Sequence, residues 1–360
     1  MNKFTPPENC AANLTAEPAE KVRITWLDSL KGFATICVVI GHVVGGYRHI
    51  FPSFKWAEDA IANMVYSFHM PLFFLISGFL FSRAYVDSTG AVKFGKLKTQ
   101  LLDLAAVYVI FSFLLVCVQA MFSSSVTRII PFSDLLCIWR KPISIFWYLY
   151  ILFFLYLANA VLVKFRRMTL LSMLFFILGT AVTALPTPAG FENIRRFFFF
   201  LPFFYLGTMM QRSGRTPNWS VAVGGLAAAC GLYLLFSGGS TESYSGILPY
   251  EPIVKTIVAL GLSIFFWKSF SAVKWIDNTV LRLCGRYCLE VYVMHCFLTA
   301  GLRSVFMVLG VSNFWVSLAL STILSTALPI LFAMWLERLG VHDILFRPAH
   351  WFKRRAARSE

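Results

Sequence analysis

The sequence predicts an all-α, polytopic membrane protein: a bundle of about ten transmembrane helices with both termini in the cytosol. Three observations carry that prediction. Of the 360 residues, 58% are hydrophobic and 14% charged, against roughly half and a quarter in an ordinary soluble domain. Mean hydropathy is +0.70 and Phe alone contributes 37 residues, more apolar surface than a water-soluble core of this size hides. The apolar residues also gather in stretches near the roughly 20 residues that a bilayer-spanning helix needs. Soluble, disordered and collagen-like chains are thereby excluded.

Taken in order, residues 1–24, with Pro6, Pro7, Glu8, Glu17, Pro18 and Glu20, read as a polar cytosolic tail. No apolar core precedes a small-residue cleavage site, so this is not a signal peptide. Apolar stretches follow near 30–47, 64–82, 101–122, 143–163, 168–185, 197–210, 219–237, 253–270, 288–309 and 314–336. The sixth is short and contains Pro202; it either extends through Arg195 and Arg196 or is broken. The membrane domain therefore spans 25–340, and a basic cytosolic tail occupies 341–360. With 32 Lys and Arg against 17 Asp and Glu, the net charge is +15. When the stretches are made to alternate in direction, most basic residues fall on the side of the termini, while Gly238 to Pro252 carries none; this is the positive-inside pattern. It accounts for the basic charge without a nucleic-acid partner. The eight cysteines include no CxxC pair and read mostly as small buried hydrophobes. No convincing internal repeat is present.

An ionisable residue inside a span is costly, so each is a functional candidate by default. His42 lies eleven residues after Lys31, which at helical pitch returns it to within about 20° of the same face at a rise of about 16.5 Å. A lysine at the cytosolic mouth can hold a phosphate, and a neutral imidazole deeper on that stripe can take a proton from an attacking hydroxyl. Spacing alone equally allows a packing histidine and a lysine that only enforces topology. Thr25 and Asp28 stand at capping-box spacing, so Asp28 either caps the first helix or orients a nearby cation. The second stretch contains His69, Pro71 and the pair Ser77-Gly78; a proline in a helix frees a backbone carbonyl, and Ser-Gly lets another backbone approach. Ser77 lacks the surroundings of a nucleophile elbow. Arg83, Lys93, Lys96 and Lys98 either grip a polyanion or satisfy the positive-inside bias. In the ninth stretch Arg286 and Glu290 are spaced as an i, i+4 pair, with Tyr292 and His295 further in. The six histidines form no metal-ligand pattern, and neither a P-loop nor a dinucleotide fingerprint occurs.

The run from Trp26 through Asp28 and Lys31 to Gly41-His42 resembles the opening of the integral-membrane acyltransferase family 3, whose members O-acylate envelope sugars. In that family ten positions separate a basic residue from a histidine, and Lys31 and His42 match. Phe68 to Phe79 is similar to the family's aromatic segment ending in Ser-Gly-aromatic. Weaker similarity follows at Phe146 to Leu149, Phe203 to Gly207 and Leu289 to His295, with the fucose 4-O-acetylase-like branch nearest. The resemblance implies acyl transfer from acetyl-CoA to a hydroxyl of a polysaccharide or lipid-linked sugar in the bacterial inner membrane, without a metal. It makes His42 essential, either as general base or as a transient acyl carrier, with Asp28 also in the catalytic set, and puts Lys31, Arg83, Lys96 and Lys98 at the donor. His69, Ser77, Trp147, Tyr148 and His295 are then expected at the acceptor. Lysines replace the arginine cluster that members often carry in the cytosolic loop, and lysine lacks arginine's bidentate fork. The rival reading is a transporter or flippase for a sugar-linked lipid, with His42 relaying protons. Such proteins often show paired repeats, and none is visible here.

Overall fold

The computed structural model describes residues 23–47, 50–121, 130–164, 168–185, 190–236 and 251–359. Residues 1–22 of the polar tail, Cys10 among them, and most of the stretch without Lys or Arg from Gly238 to Pro252 lie outside the described residues. Ten helices of sixteen residues or more follow one another: α1 (Thr25–Tyr47), α2 (Lys55–Tyr85), α3 (Phe94–Met121), α4 (Trp147–Leu162), α5 (Met168–Ala184), α6 (Glu192–Ser213), α7 (Trp219–Phe236), α8 (Glu251–Ala272), α10 (Cys288–Val308) and α11 (Phe314–Arg338). The short α9 (Thr279–Arg286) precedes α10, and α12 (His342–Phe346) and α13 (Pro348–Ser359) end the chain. Seven of the helices are long and apolar enough to cross a membrane, and no β-strand occurs among the described residues. The architecture is that of an all-α polytopic membrane protein, in which every helix satisfies its backbone internally as lipid demands.

Small residues set the closest helix contacts. A Cβ on Gly78 of α2 would lie 1.8 Å from the Phe204 carbonyl oxygen of α6, and one on Gly207 of α6 would lie 2.0 Å from the Leu75 oxygen of α2. The two backbones touch at both points, which is the packing expected of Ser77-Gly78. Asn159 of α4 donates to the Thr208 hydroxyl at 2.8 Å, and that hydroxyl donates to the Gly78 carbonyl at 3.0 Å, tying three helices together. Gly32 and Gly285 bring α1 and α9 equally close. Around this frame α1 packs against α2, α8, α9, α10 and α11, so the helix bearing Lys31 and His42 is central.

Four expectations resolve here. The sixth stretch is unbroken: α6 runs through Pro202 and takes Arg195 and Arg196 into its first turns. Arg286 and Glu290 do not pair, because the chain breaks at Tyr287 between α9 and α10; Arg286 instead reaches Glu337 at 3.7 Å, and Glu290 reaches His342 at 2.8 Å. Cys137 and Cys230 are exposed rather than buried. Finally, the basic C-terminal segment forms α12 and α13 and packs on α3. Phe346 stacks on Phe111 of α3 and is buried, and α13 begins on the buried Asp103 of the same helix.

Candidate active site

The starts of α1 and α10, the end of α11 and the C-terminal helices meet at one end of the bundle, the terminal end. They enclose a cavity of about 650 Å³ lined by Arg23, Asp28, Lys31, Arg286, Tyr287, Glu290, Glu337, Gly340, His342, Asp343 and Arg347. Each lining carboxylate has a cationic partner. Asp28 is shared by Lys31 at 2.8 Å and Arg23 at 2.5 Å; Glu337 faces Arg286, Glu290 faces His342, and Asp343 holds Arg354 at 2.6 Å. Four lining cations, Arg23, Lys31, Arg286 and Arg347, balance four lining carboxylates, Asp28, Glu290, Glu337 and Asp343; because two cations share Asp28 and Arg354 stands behind Asp343, Arg347 is left without a carboxylate partner among the described residues. The hydrogen bond to Glu290 raises the His342 pKa above its ordinary value.

Beside the cavity, Asp277 fixes the start of α1. It accepts a bidentate fork from Arg282, with both contacts at 2.7 Å, and takes hydrogen bonds from Ser29 at 2.6 Å and Thr25 at 2.8 Å. The Arg282 fork is the main reason that its carboxyl is held down to about 2. Thr25 is thus spent on Asp277 rather than on a capping box.

Three turns further along α1, His42 is half-buried and faces α10 and α2. Its ring centroid lies 4.9 Å from that of His295 and 6.2 Å from that of Tyr66, and Tyr66 in turn stands 5.2 Å from His69. His69 and His295 are fully enclosed. The Nδ1 of His69 meets the Val65 carbonyl at 2.6 Å, and that of His295 meets the carbonyls of Tyr292 at 2.7 Å and Val291 at 3.1 Å. Since a carbonyl only accepts, Nδ1 carries the proton in both rings and Nε2 is left as an acceptor. The His295 Nε2 is buried without a hydrogen-bond partner among the described residues. An unpaired acceptor in a dry interior is costly unless something uses it.

An aromatic wall extends from this cluster. Tyr292 lies 6.1 Å from His295 and 5.2 Å from Tyr148, whose hydroxyl is 3.2 Å from that of Ser77. Trp147, next along α4, carries the Arg196 guanidinium over its ring at 4.8 Å and stacks on Phe200.

The structure therefore brings together His42, His69 and His295, and joins Ser77, Trp147 and Tyr148 in the adjoining wall. Lys31 is at the cavity. Asp28 is corrected in role: it precedes His42 by fourteen residues, about 21 Å along the helix axis, so it cannot touch the imidazole and acts instead on Lys31 and Arg23. Arg83, Lys96 and Lys98 do not line the cavity; Lys96 and Lys98 are exposed on the first turns of α3, with Lys96 6.0 Å above the Tyr85 ring. Sequence reasoning missed Tyr66, His342 and Arg347. Tyr66 stands two positions before the recognised aromatic segment, and nothing in the spacing links His342 or Arg347 to α1. Among the described residues no group of three or more His, Cys, Asp or Glu is arranged to hold a metal.

The site thus joins a polar cavity rich in charged side chains, at one end of the bundle, to three enclosed or half-buried histidines deeper in it. The family model described as an acyltransferase domain matches residues 24–334, and the chain belongs to that family: it is a membrane acyltransferase. Comparison with curated proteins and with solved structures finds no match.

Proposed function

We propose that this protein is an O-acetyltransferase that moves an acetyl group from acetyl-CoA to a hydroxyl of a cell-envelope polysaccharide or lipid-linked sugar, within the fucose 4-O-acetylase-like branch and in a bacterial inner membrane. The observation that carries the reading is the alignment on α1: Lys31 in the cavity, and His42 against His295 three turns deeper. The terminal end is cytosolic in this reading, so a soluble donor reaches the cavity directly.

The cavity suits such a donor because Lys31 and Arg23 share a single carboxylate and Arg347 has none, which leaves cationic groups for phosphate oxygens. An acyl-CoA thioester, when bound, supplies an activated carbonyl and a thiolate leaving group. Lys31, steadied by Asp28, holds the charged portion. The remaining distance to His42, about 16.5 Å of helix, matches the reach of an extended pantetheine arm. His42 takes the proton from the sugar hydroxyl as its oxygen attacks, and returns it to the departing sulfur. His295 is a positioning residue: its free Nε2 accepts from the inner ring nitrogen of His42 after a small ring rotation, which leaves the outer nitrogen as the base. Trp147, Tyr148 and Ser77 present aromatic faces and hydroxyls suited to a sugar, and His69 braces the cluster from α2.

The test is transfer of radiolabelled acetyl from acetyl-CoA to candidate glycans by protein in nanodiscs, comparing the parent with His42→Ala. Loss of transfer with retained CoA binding is the expected result. A folded His42→Ala that transfers as fast as the parent overturns the mechanism.

A further inference from the structure

The C-terminal helices lie beyond residues 24–334 of the family match, yet they supply four residues of the cavity wall: Gly340, His342, Asp343 and Arg347. Their position is not left to chance. Asp103 of α3, only 4% exposed, accepts the Ala349 amide at 2.7 Å and the His350 amide at 3.4 Å, and it also holds His350 Nδ1. A carboxylate on the first amides of a helix is a favourable placement for both charge and hydrogen bonding, so α13 starts at a defined point. On the other side, His342 sets α12 on Glu290, and Phe346 fills the space beside Phe111. Arg354 then ties α13 back to Asp343. The turn between these anchored helices consists of Arg347, which is exposed and lines the cavity on the wall formed by the C-terminal segment.

The carboxylates around it are engaged elsewhere: Asp343 by Arg354, Glu290 by His342 and Glu337 by Arg286. Arg347 is thus an exposed guanidinium on the cavity wall, its segment held by two buried carboxylates, Asp103 and Glu290, and its own charge unpaired by any carboxylate among the described residues. Its planar fork matches phosphate geometry in a way that the lysines of the α2 to α3 loop do not.

We propose that residues 340–359 form the closing wall of the donor site, and that Arg347 binds phosphate oxygens of the CoA donor, taking the part left open by the missing arginine cluster in the loop. This rests on the reading of the cavity as the donor site. Asp103 is a positioning residue for that wall and touches no ligand.

The experiment measures binding of coenzyme A to detergent-purified full-length protein by calorimetry, together with transfer kinetics, for the parent, Arg347→Gln, Arg347→Lys and Asp103→Asn. Arg347→Gln is expected to weaken CoA binding at least tenfold and to raise KM for acetyl-CoA with kcat retained, and Arg347→Lys to recover part of the loss. Asp103→Asn is expected to raise KM likewise, while hydrogen exchange in 342–359 accelerates. If the parent binds CoA and Arg347→Gln binds it equally well, the inference is overturned and the donor-site reading stands. If 342–359 is released in Asp103→Asn without change in KM, the closing-wall role is overturned. If the parent itself binds no CoA, the donor-site reading falls, and the inference with it.

Discussion

At the terminal end, every carboxylate that lines the cavity is held by a cationic side chain; three turns deeper, His69 and His295 are held by backbone carbonyls of their own helices. The difference follows from the two environments. An open, wetted cavity tolerates charge, since partners and water share the cost of solvation, and it can therefore collect residues from distant parts of the chain. Within the bundle, an ion pair would pay a desolvation penalty that its attraction does not always repay. A neutral ring anchored to a carbonyl one turn back pays almost nothing. On the proposed reading the first region binds the donor and the second moves a proton, and substitutions are expected to separate accordingly.

The largest expected effect breaks the deeper region. His42→Ala removes the general base, worth roughly 10²–10⁴ in rate, with CoA affinity unchanged by calorimetry; a parallel loss of affinity would join the two regions that the structure separates. His295→Phe keeps an aromatic ring, slightly larger, and deletes the acceptor. Transfer is expected to fall by about 10–100-fold, in line with a lost hydrogen bond to a working group, and the His42→Ala, His295→Phe double variant is expected to be no worse than His42→Ala alone. On the cavity side, Lys31→Ala is expected to raise KM for acetyl-CoA about tenfold, the scale of one charge-assisted contact, while kcat holds. Asp28→Asn, which only loosens Lys31 and Arg23, is expected to change the same parameter by about two- to threefold, the range of a partly exposed pair.

A smaller effect concerns pH. His342 is held above its ordinary value by Glu290, with Asp343 on its own helix and Glu337 on α11 acting in the same sense. A raised folded-state value contributes stability that is complete below about 6.5 and is lost as pH rises through the folded value. Hydrogen exchange in 342–359, corrected for its intrinsic rate, is therefore expected to accelerate above neutral pH, and His342→Gln is expected to flatten that dependence. Exchange that is independent of pH in the parent would show that the other anchors suffice.

Much of this was legible in the residues. The ten apolar stretches coincide with the ten long helices because a chain in lipid must satisfy its backbone within each segment, so local composition decides where helices form. Lys31 and His42 fall on one stripe because both belong to one helix, and Ser77-Gly78 marks a close approach because no side chain is there to prevent it. Of the two roles that the residues left open for Asp28, the structure shows the orienting one, since it holds the nearby cations Lys31 and Arg23, while helical rise keeps it away from His42. The pairing of Arg286 with Glu290 failed because helical spacing was assumed across Tyr287, where one helix ends and the next begins.

By itself, then, the order of residues determined which segments form long apolar helices, and that a cation and an imidazole share the face of the first of them. Only the tertiary structure decided that His295 stands beside His42, that Glu290 meets His342, and that Asp103 seats the last helix so that Arg347 lines the cavity. Those contacts join residues far apart along the chain, and their formation depends on how whole helices pack, which small residues such as Gly78, Gly207, Gly32 and Gly285 permit but do not spell out.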